Sequence, residues 1–132
     1  MRRYTYPAVV TPEENGMYSV HFPDLEGCYT CGDDLGHALY MAQDVLAFTI
    51  YDYEQSKREI PAPSKPGVLQ TGKGEFVNYI TCDTLEYQRR HNNRAVKKTL
   101  TIPEWMDAAA TEAGVNFSQT LQDALKEKLH IA

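Results

Sequence analysis

Lys97, Thr99 and Thr101 stand two residues apart between Ala95 and Pro103, with Val96, Leu100 and Ile102 falling on the alternate positions. Side chains of a strand point alternately to opposite faces, so this spacing gives one apolar face and one face of lysine and threonine. Paired with a second strand, such a face forms a ribbon that fits the major groove of B-DNA, where lysine and threonine hydrogen-bond to base edges.

Other chemistries have weaker footing. Asp24, Glu26, Asp33 and Asp34 are the acidic residues that a two-metal nuclease would draw on. They crowd into one loop and one helix cap, whereas such a centre needs carboxylates converging from separate elements. Ser19, Ser56, Ser64 and Ser118 lack a G-x-S-x-G context for nucleophilic catalysis. Cys28 and Cys31 have C-x-x-C spacing, but no second close pair accompanies them, and His21, His37, His91 and His130 are scattered. The expectation is no catalytic residue, no metal and no cofactor. Three cysteines are an odd number and do not suggest a disulfide framework.

The elements around the Lys/Thr strand follow from local chemistry. Pro103 lacks an N–H and suits the start of a helix, where Glu104 also favours the dipole. A helix over roughly 104–113 puts Trp105, Met106, Ala109 and Ala113 on one stripe, and Gly114 supplies the left-handed residue that ends it. Asn116 then caps a second helix, with Gln119 in capping-box position and Phe117, Leu121, Ala124, Leu125 and Leu129 forming the apolar stripe. A strand and two short helices are too small to bury a core alone, since units below about 40 residues usually need oligomerisation, metal or disulfides. Pairing of two copies is the expected remedy, with Leu100, Ile102, Trp105, Leu121 and Leu125 in the shared core.

The segment resembles a ribbon-helix-helix (β-α-α) DNA-binding domain in its K-x-T-x-T strand, its Ile102-Pro103 ending and its Gly114-Val115-Asn116-Phe117-Ser118 turn. That resemblance implies base reading by Lys97, Thr99 and Thr101, and a grip on phosphate by backbone N–H groups at Asn116, Phe117 and Ser118. The latter agrees with the anion affinity of a helix N-terminus. The competing structural reading is a strand and helical hairpin packed inside a larger domain with a solvated Lys/Thr face.

The chain of 132 residues has a net charge of −5, 42% hydrophobic and 23% charged residues, ordinary for a globular protein. The charge is unevenly spread: residues 1–92 hold 8 Lys+Arg against 13 Asp+Glu, and 93–132 hold 5 of each. An acidic part beside a DNA reader repels phosphate, so it is expected to face a different, basic partner. Without an 18-residue apolar run or an apolar leader after Met1, the expected location is the bacterial cytoplasm, with no membrane contact.

From the N-terminus, Arg3–Thr11 and Met17–Phe22 alternate about a Glu14-Asn15-Gly16 turn, which predicts a hairpin, and Cys28–Thr30 predicts a third strand. Asp34 is the expected cap of a long helix carrying Leu35, Ala38, Leu39, Ala42, Val45, Leu46, Ile50 and Tyr53 on one stripe. After a proline-rich loop, Phe76–Thr81 predicts a strand and Thr84–Arg90 a short helix, giving a β-β-β-α-β layer of the α+β class. The expected division is 1–90 for this part, 91–94 for a linker and 95–132 for the DNA-binding part.

The run Phe22-Pro23-Asp24-Leu25-Glu26-Gly27-Cys28, with Gly32-Asp33-Asp34-Leu35 and Ala38-Leu39 opening the helix, resembles the N-terminal domain of HicB-type antitoxins. Gly36 and His37 in the first helical turn depart from the small acidic or polar residues often found there. The resemblance implies a truncated RNase H-like fold, with a C-terminal ribbon-helix-helix domain in some members and a helix-turn-helix in others. It further implies two jobs: blocking a small basic HicA-type toxin that cleaves mRNA, and seating the complex on operator DNA to repress its own operon. It leaves open whether a homodimer through the C-terminal part goes on to form a tetramer. The alternative is a free-standing ribbon-helix-helix transcription regulator whose N-terminal part senses a ligand or oligomerises.

Overall fold

The computed structural model describes residues 2–131. The chain divides into two compact units, residues 1–94 and 95–132.

The first unit contains β1 (Arg3–Pro12), β2 (Tyr18–His21), β3 (Tyr29–Gly32), α1 (Leu35–Gln55), β4 (Phe76–Asp83) and α2 (Thr84–His91). Its sheet has the order β3-β2-β1-β4, with every neighbouring pair antiparallel. Alternation along β1 sends Tyr6, Ala8 and Val10 into the core, where they join Val20, Phe22, Leu25, Leu46 and Ile50. Pro7 stands inside this central strand, a place that normally excludes proline because a ladder hydrogen bond is lost. β2 resolves the conflict by ending early: its register with β1 covers only Val9 to Pro12, so it has no residue opposite Pro7. On the other side Pro7 lies opposite Tyr79 of β4.

α1 begins where the sequence predicts. Asp34 is extended, and its carboxylate accepts a hydrogen bond of 2.7 Å from the His37 N–H. Ala38, Ala42, Leu46, Ala47 and Ile50 are the buried residues of the helix. The expected stripe needs two corrections: Leu35, in the first turn, is 37% exposed, and Ala47 joins the core. The small residues Ala38 and Ala42 let the helix settle close to the strands. Gly32 completes the fit, since a Cβ there would lie 2.3 Å from the backbone N of Ala38.

The connection from α1 to β4 sets the direction of the last strand. A helix that crossed straight back would deliver a parallel strand. Here residues 56–75 carry the chain along the unit again, so β4 runs antiparallel to β1 over Arg3–Val10. The loop is held by side chains: Tyr6 Oη donates to the Pro61 carbonyl, and Asp24 accepts from the N–H of Ser64 at 2.8 Å and from its hydroxyl. Glu75 accepts from Thr11 Oγ1 and from the Gly72 N–H, each at 2.7 Å. β4 then passes directly into α2. Asp83 caps that helix by accepting from the N–H groups of Leu85 and Glu86. α2 ends at His91, one residue beyond its expected end and at the first position expected of the linker.

The second unit contains α3 (Glu104–Glu112) and α4 (Phe117–Leu129). Gly114, at φ +70°, makes the left-handed turn that the sequence predicts. Asn116 caps α4 by accepting from the Gln119 N–H at 3.0 Å. Gln119 turns its side chain forward to Asp123 at 2.8 Å, so only the Asn116 half of the expected capping box forms. The expected strand over 95–103 is not formed: residues 92–103 carry neither helix nor strand. A strand needs a second strand to satisfy its N–H and C=O groups, and among the described residues of this single chain none is offered to it.

Candidate DNA-contacting and partner-binding surfaces

Lys97, Thr99 and Thr101 lie in the irregular segment ahead of α3 and are exposed. Asn116, Phe117 and Ser118 gather at the start of α4, with Phe117 46% exposed. The first turn of a helix leaves N–H groups without intrahelical partners. The Asn116 side chain takes the one at Gln119, and the Thr120 N–H reaches the Asn116 carbonyl. That leaves the N–H groups of Phe117 and Ser118 as the donors at this end, where the helix dipole also favours negative charge.

The five residues expected in a shared core have no core in the single chain. Trp105 is 70% exposed, Leu100 60%, Leu125 48% and Ile102 42%, while Leu121 is half-buried. Neither α3 nor α4 contains a buried residue. Val96, Met106, Val115, Phe117 and Leu129 add to the same exposed apolar set.

In the first unit three of the four acidic residues weighed for nuclease chemistry have other work. Asp24 holds Ser64, Asp34 caps α1, and Asp33 lies 3.8 Å from the His37 ring while its N–H donates to Nδ1 at 3.0 Å. Among the described residues no group of three or more His, Cys, Asp or Glu could hold a metal ion. Cys28 and Cys82 are buried, Cys31 is exposed, and all three are free thiols. Burial pushes the Cys28 thiol up, partly offset by a hydrogen bond from Thr49. No helix among the described residues is long and apolar enough to cross a membrane.

Two features escaped the sequence reasoning. One is a shallow cleft of about 290 Å³ bordered by Glu26, Phe48, Asp52, Tyr53 and Arg58. Arg58 is bound there to Asp52 at 2.8 Å and stacked over the Tyr53 ring at 4.3 Å. The other is the sheet face opposite the core, where the register aligns Tyr29, His21, Val9 and Val77 across all four strands. Strand alternation held the signal for this second feature, but the register that lines the four residues up depends on pairing.

The chain is similar to known proteins in sequence and in fold. Residues 5–73 match the family described as HicB_like antitoxin of bacterial toxin–antitoxin systems. Antitoxin HicB 2 of Photorhabdus laumondii is 42% identical over 62 residues, 47% of this chain and 44% of that protein. Antitoxin HicB 1 of the same organism is 36% identical over 67 residues, 51% of this chain and 43% of its own. The chain thus spans less than half the length of these curated relatives. Among solved structures, a toxin–antitoxin complex from Streptococcus pneumoniae is similar across 96% of this chain and 99% of its own, at 33% identity and a TM-score of 0.59. The antitoxin HicB of Burkholderia pseudomallei shares the fold at 16% identity and a TM-score of 0.53, over 96% of this chain and 98% of its own.

The four-stranded antiparallel sheet and the helices make a mixed α+β fold of the kind seen in these solved structures. The chain belongs to the HicB-like antitoxin family.

Proposed function

We propose that this antitoxin neutralises a small basic HicA-type toxin through its acidic first unit, and represses its own operon through a ribbon-helix-helix built by two copies of the second. The first unit is read as the truncated RNase H-like layer, on the strength of its strand order and the single long helix on one face. A neighbour of the same fold was solved as a HicA3 and HicB3 toxin–antitoxin complex, which supports a toxin as partner. Unit-by-unit charge supports it too, because the acidic excess lies entirely in residues 1–92.

One observation carries the DNA-binding half: α3 and α4 have no buried residue, yet both are regular and capped. Two short helices whose apolar stripes hold no buried residue gain little stability from helix propensity alone. A second copy supplies what is missing. Antiparallel pairing of the two 95–103 segments gives each strand its hydrogen-bond partner, covers Leu100, Ile102, Trp105, Leu121 and Leu125, and presents Lys97, Thr99 and Thr101 in duplicate to the major groove. Phe117 and Ser118 N–H groups then face flanking phosphates.

The test is co-purification of the tagged chain from its native locus, followed by a gel shift on the DNA upstream of its gene. A stoichiometric small basic protein that stops growth when expressed alone, together with a shifted upstream fragment, is expected. Operator binding without such a partner would favour the free-standing regulator, which uses the same Lys97, Thr99 and Thr101.

A further inference from the structure

Glu26, the fourth of the acidic residues weighed above, enters none of the ion pairs among the described residues. It borders the cleft of Phe48, Asp52, Tyr53 and Arg58. One wall of that cleft comes from α1, which has Asp44, Asp52 and Glu54 and no lysine or arginine. Tyr40, Asp44, Phe48 and Asp52 follow at intervals of four, so aromatic and acid alternate along one side of the helix. Tyr40 is 62% and Phe48 56% exposed, a large aromatic surface on a helix whose other face is core. Tyr87 of α2 meets the Phe48 ring edge-on at 6.4 Å, which steadies it and leaves it open to solvent.

The end of α1 supplies a cation to this wall. Lys57, at φ +56°, takes the left-handed position more often held by glycine. The turn closes with the Lys57 N–H donating to the Glu54 carbonyl at 3.3 Å and the Arg58 N–H to the Tyr53 carbonyl at 3.1 Å. It sends Arg58 back along the helix. The guanidinium lies over the Tyr53 ring at 4.3 Å and donates to Asp52 at 2.8 Å and to Ser56 Oγ at 3.1 Å. A carboxylate beside an aromatic face is what an arginine from outside would need. The chain fills that place with its own arginine, and loosely. The Arg58 and Asp52 side chains are 55% and 61% exposed, and exposed pairs contribute little to stability.

We propose that this cleft receives an arginine of the toxin, and that Arg58 is a built-in stand-in for it which swings out when the toxin docks. The assignment rests on the toxin-binding reading given above, and adds where a toxin side chain enters and what it displaces. Charge selects the occupant. Once Arg58 leaves, Asp52 and Glu26 are two carboxylates without a cation, set against the rings of Phe48 and Tyr53, and only a basic group completes them. A planar guanidinium stacks on a ring and pairs with a carboxylate at once, which an ammonium does less well. The open sheet face offers a basic partner less, because Glu13 and Glu75 there are already bonded to Ser19 and Thr11.

Isothermal titration of the full-length chain with the toxin that co-purifies with it tests this. Arg58→Gln is expected to bind toxin about two- to fivefold more tightly, the range an exposed ion pair is worth when it no longer has to be broken. Asp52→Asn and Phe48→Ala are each expected to bind about tenfold more weakly, and Arg58→Gln should bring no gain once Asp52→Asn is present. The urea midpoint should barely move in Arg58→Gln, whereas a purely structural arginine would lower the midpoint without raising affinity. Affinity unchanged or reduced in Arg58→Gln overturns the proposal, and that sign decides even where Asp52→Asn disturbs the end of α1. Toxin binding that survives both Asp52→Asn and Phe48→Ala overturns the assignment and leaves the toxin reading standing. A fall in Tyr29→Ala would then place docking on the open sheet face. A wild-type chain that brings down no small basic protein overturns both readings together.

Discussion

Tyr4 Oη lies 2.8 Å from Glu54 Oε2, tying the first strand to the last turn of α1. Thr84 Oγ1 donates to the same oxygen at 3.1 Å, so the start of α2 joins the same knot. The other carboxylate oxygen, Oε1, is buried and has no hydrogen-bond partner among the described residues. One side chain thus closes the open end of the layer at the cost of an unsatisfied acceptor. Tyr4→Phe removes a hydrogen bond to a charged group and is expected to destabilise the first unit by about 1.5 kcal/mol, the low end for such bonds because Tyr4 is only half-buried. Urea unfolding followed by far-UV circular dichroism measures it. An unchanged midpoint would show that water replaces the tyrosine without loss.

High pH should loosen the same unit. Burial pushes the Cys82 thiol up to about 12, with Asp83 and Glu54 adding to the effect. Burial, then Asp24, raises the Tyr6 phenol to about 12. Both groups keep their protons in the folded chain at pH values where the unfolded chain has released them. The folded state then binds more protons, and stability falls as pH rises. The contribution is complete below the ordinary thiol value of 9.0 and is lost progressively as pH climbs toward about 12. Melting temperatures are expected to be flat near neutrality and to drop above about pH 9, and Cys82→Ala should make that drop shallower, with the buried Cys28 thiol, also raised, keeping part of it. A melt that stays independent of pH well into the alkaline range would contradict this.

Gly32→Ala tests the contact between β3 and α1. The added Cβ would meet Ala38 N at 2.3 Å and Ala38 Cα at 2.5 Å, both backbone atoms that cannot rotate away. Forced shifts of this kind cost about 1–3 kcal/mol or more. The expected result is a lower urea midpoint with an unchanged slope. Gly36→Ala is the control, since its nearest neighbour is the Asp34 carboxylate at 3.5 Å. Equal behaviour of the two variants would place the constraint elsewhere.

How far the sequence foretold this structure varied with the range of the interaction. Asp34 and Asn116 were legible as caps because a cap is local chemistry, an oxygen three residues ahead of an N–H. The apolar stripe of α1 was legible in period, but its edges were not, since Leu35 and Ala47 are sorted by the sheet beneath. Pro7 argues against a central strand until one sees that β2 has already ended at that level. The direction of β4 had no local signal at all. It depends on residues 56–75, held by Tyr6, Asp24 and Thr11 across long sequence separations. In the second unit the alternation of 95–103 was plain, and what one chain lacks is the second strand that would turn the pattern into hydrogen bonds. The aligned face of Tyr29, His21, Val9 and Val77 required the register.

On the proposed base-reading face, Thr99 is the sharpest probe. Its loss in Thr99→Ala is expected to weaken binding to the chain's own operator by about 1–3 kcal/mol and to relax preference at one base position. Lys97→Ala distinguishes a base contact from a phosphate contact: if the ammonium meets phosphate, the slope of log affinity against log salt falls by about one, and specificity is unchanged. Gel shifts at several salt concentrations read both. Full affinity in both variants would remove the strand from the interface.

Leu125→Asp addresses what completes the second unit. Leu125 is 48% exposed in the single chain, so a charge there has no reason to disturb one chain by itself. If two copies share a core over α3 and α4, the substitution would bury an unpaired carboxylate from each copy in it, which is costly enough to prevent pairing. Operator binding should then vanish together with the helical signal of the second unit, because helices this short are marginal alone. The first unit, with its own core around Leu46 and Ile50, should keep its fold and the toxin binding proposed for it. Sizing, circular dichroism and toxin pull-down on the one variant separate these effects. Full operator affinity in Leu125→Asp would mean that the helices are completed by something other than a second copy of themselves.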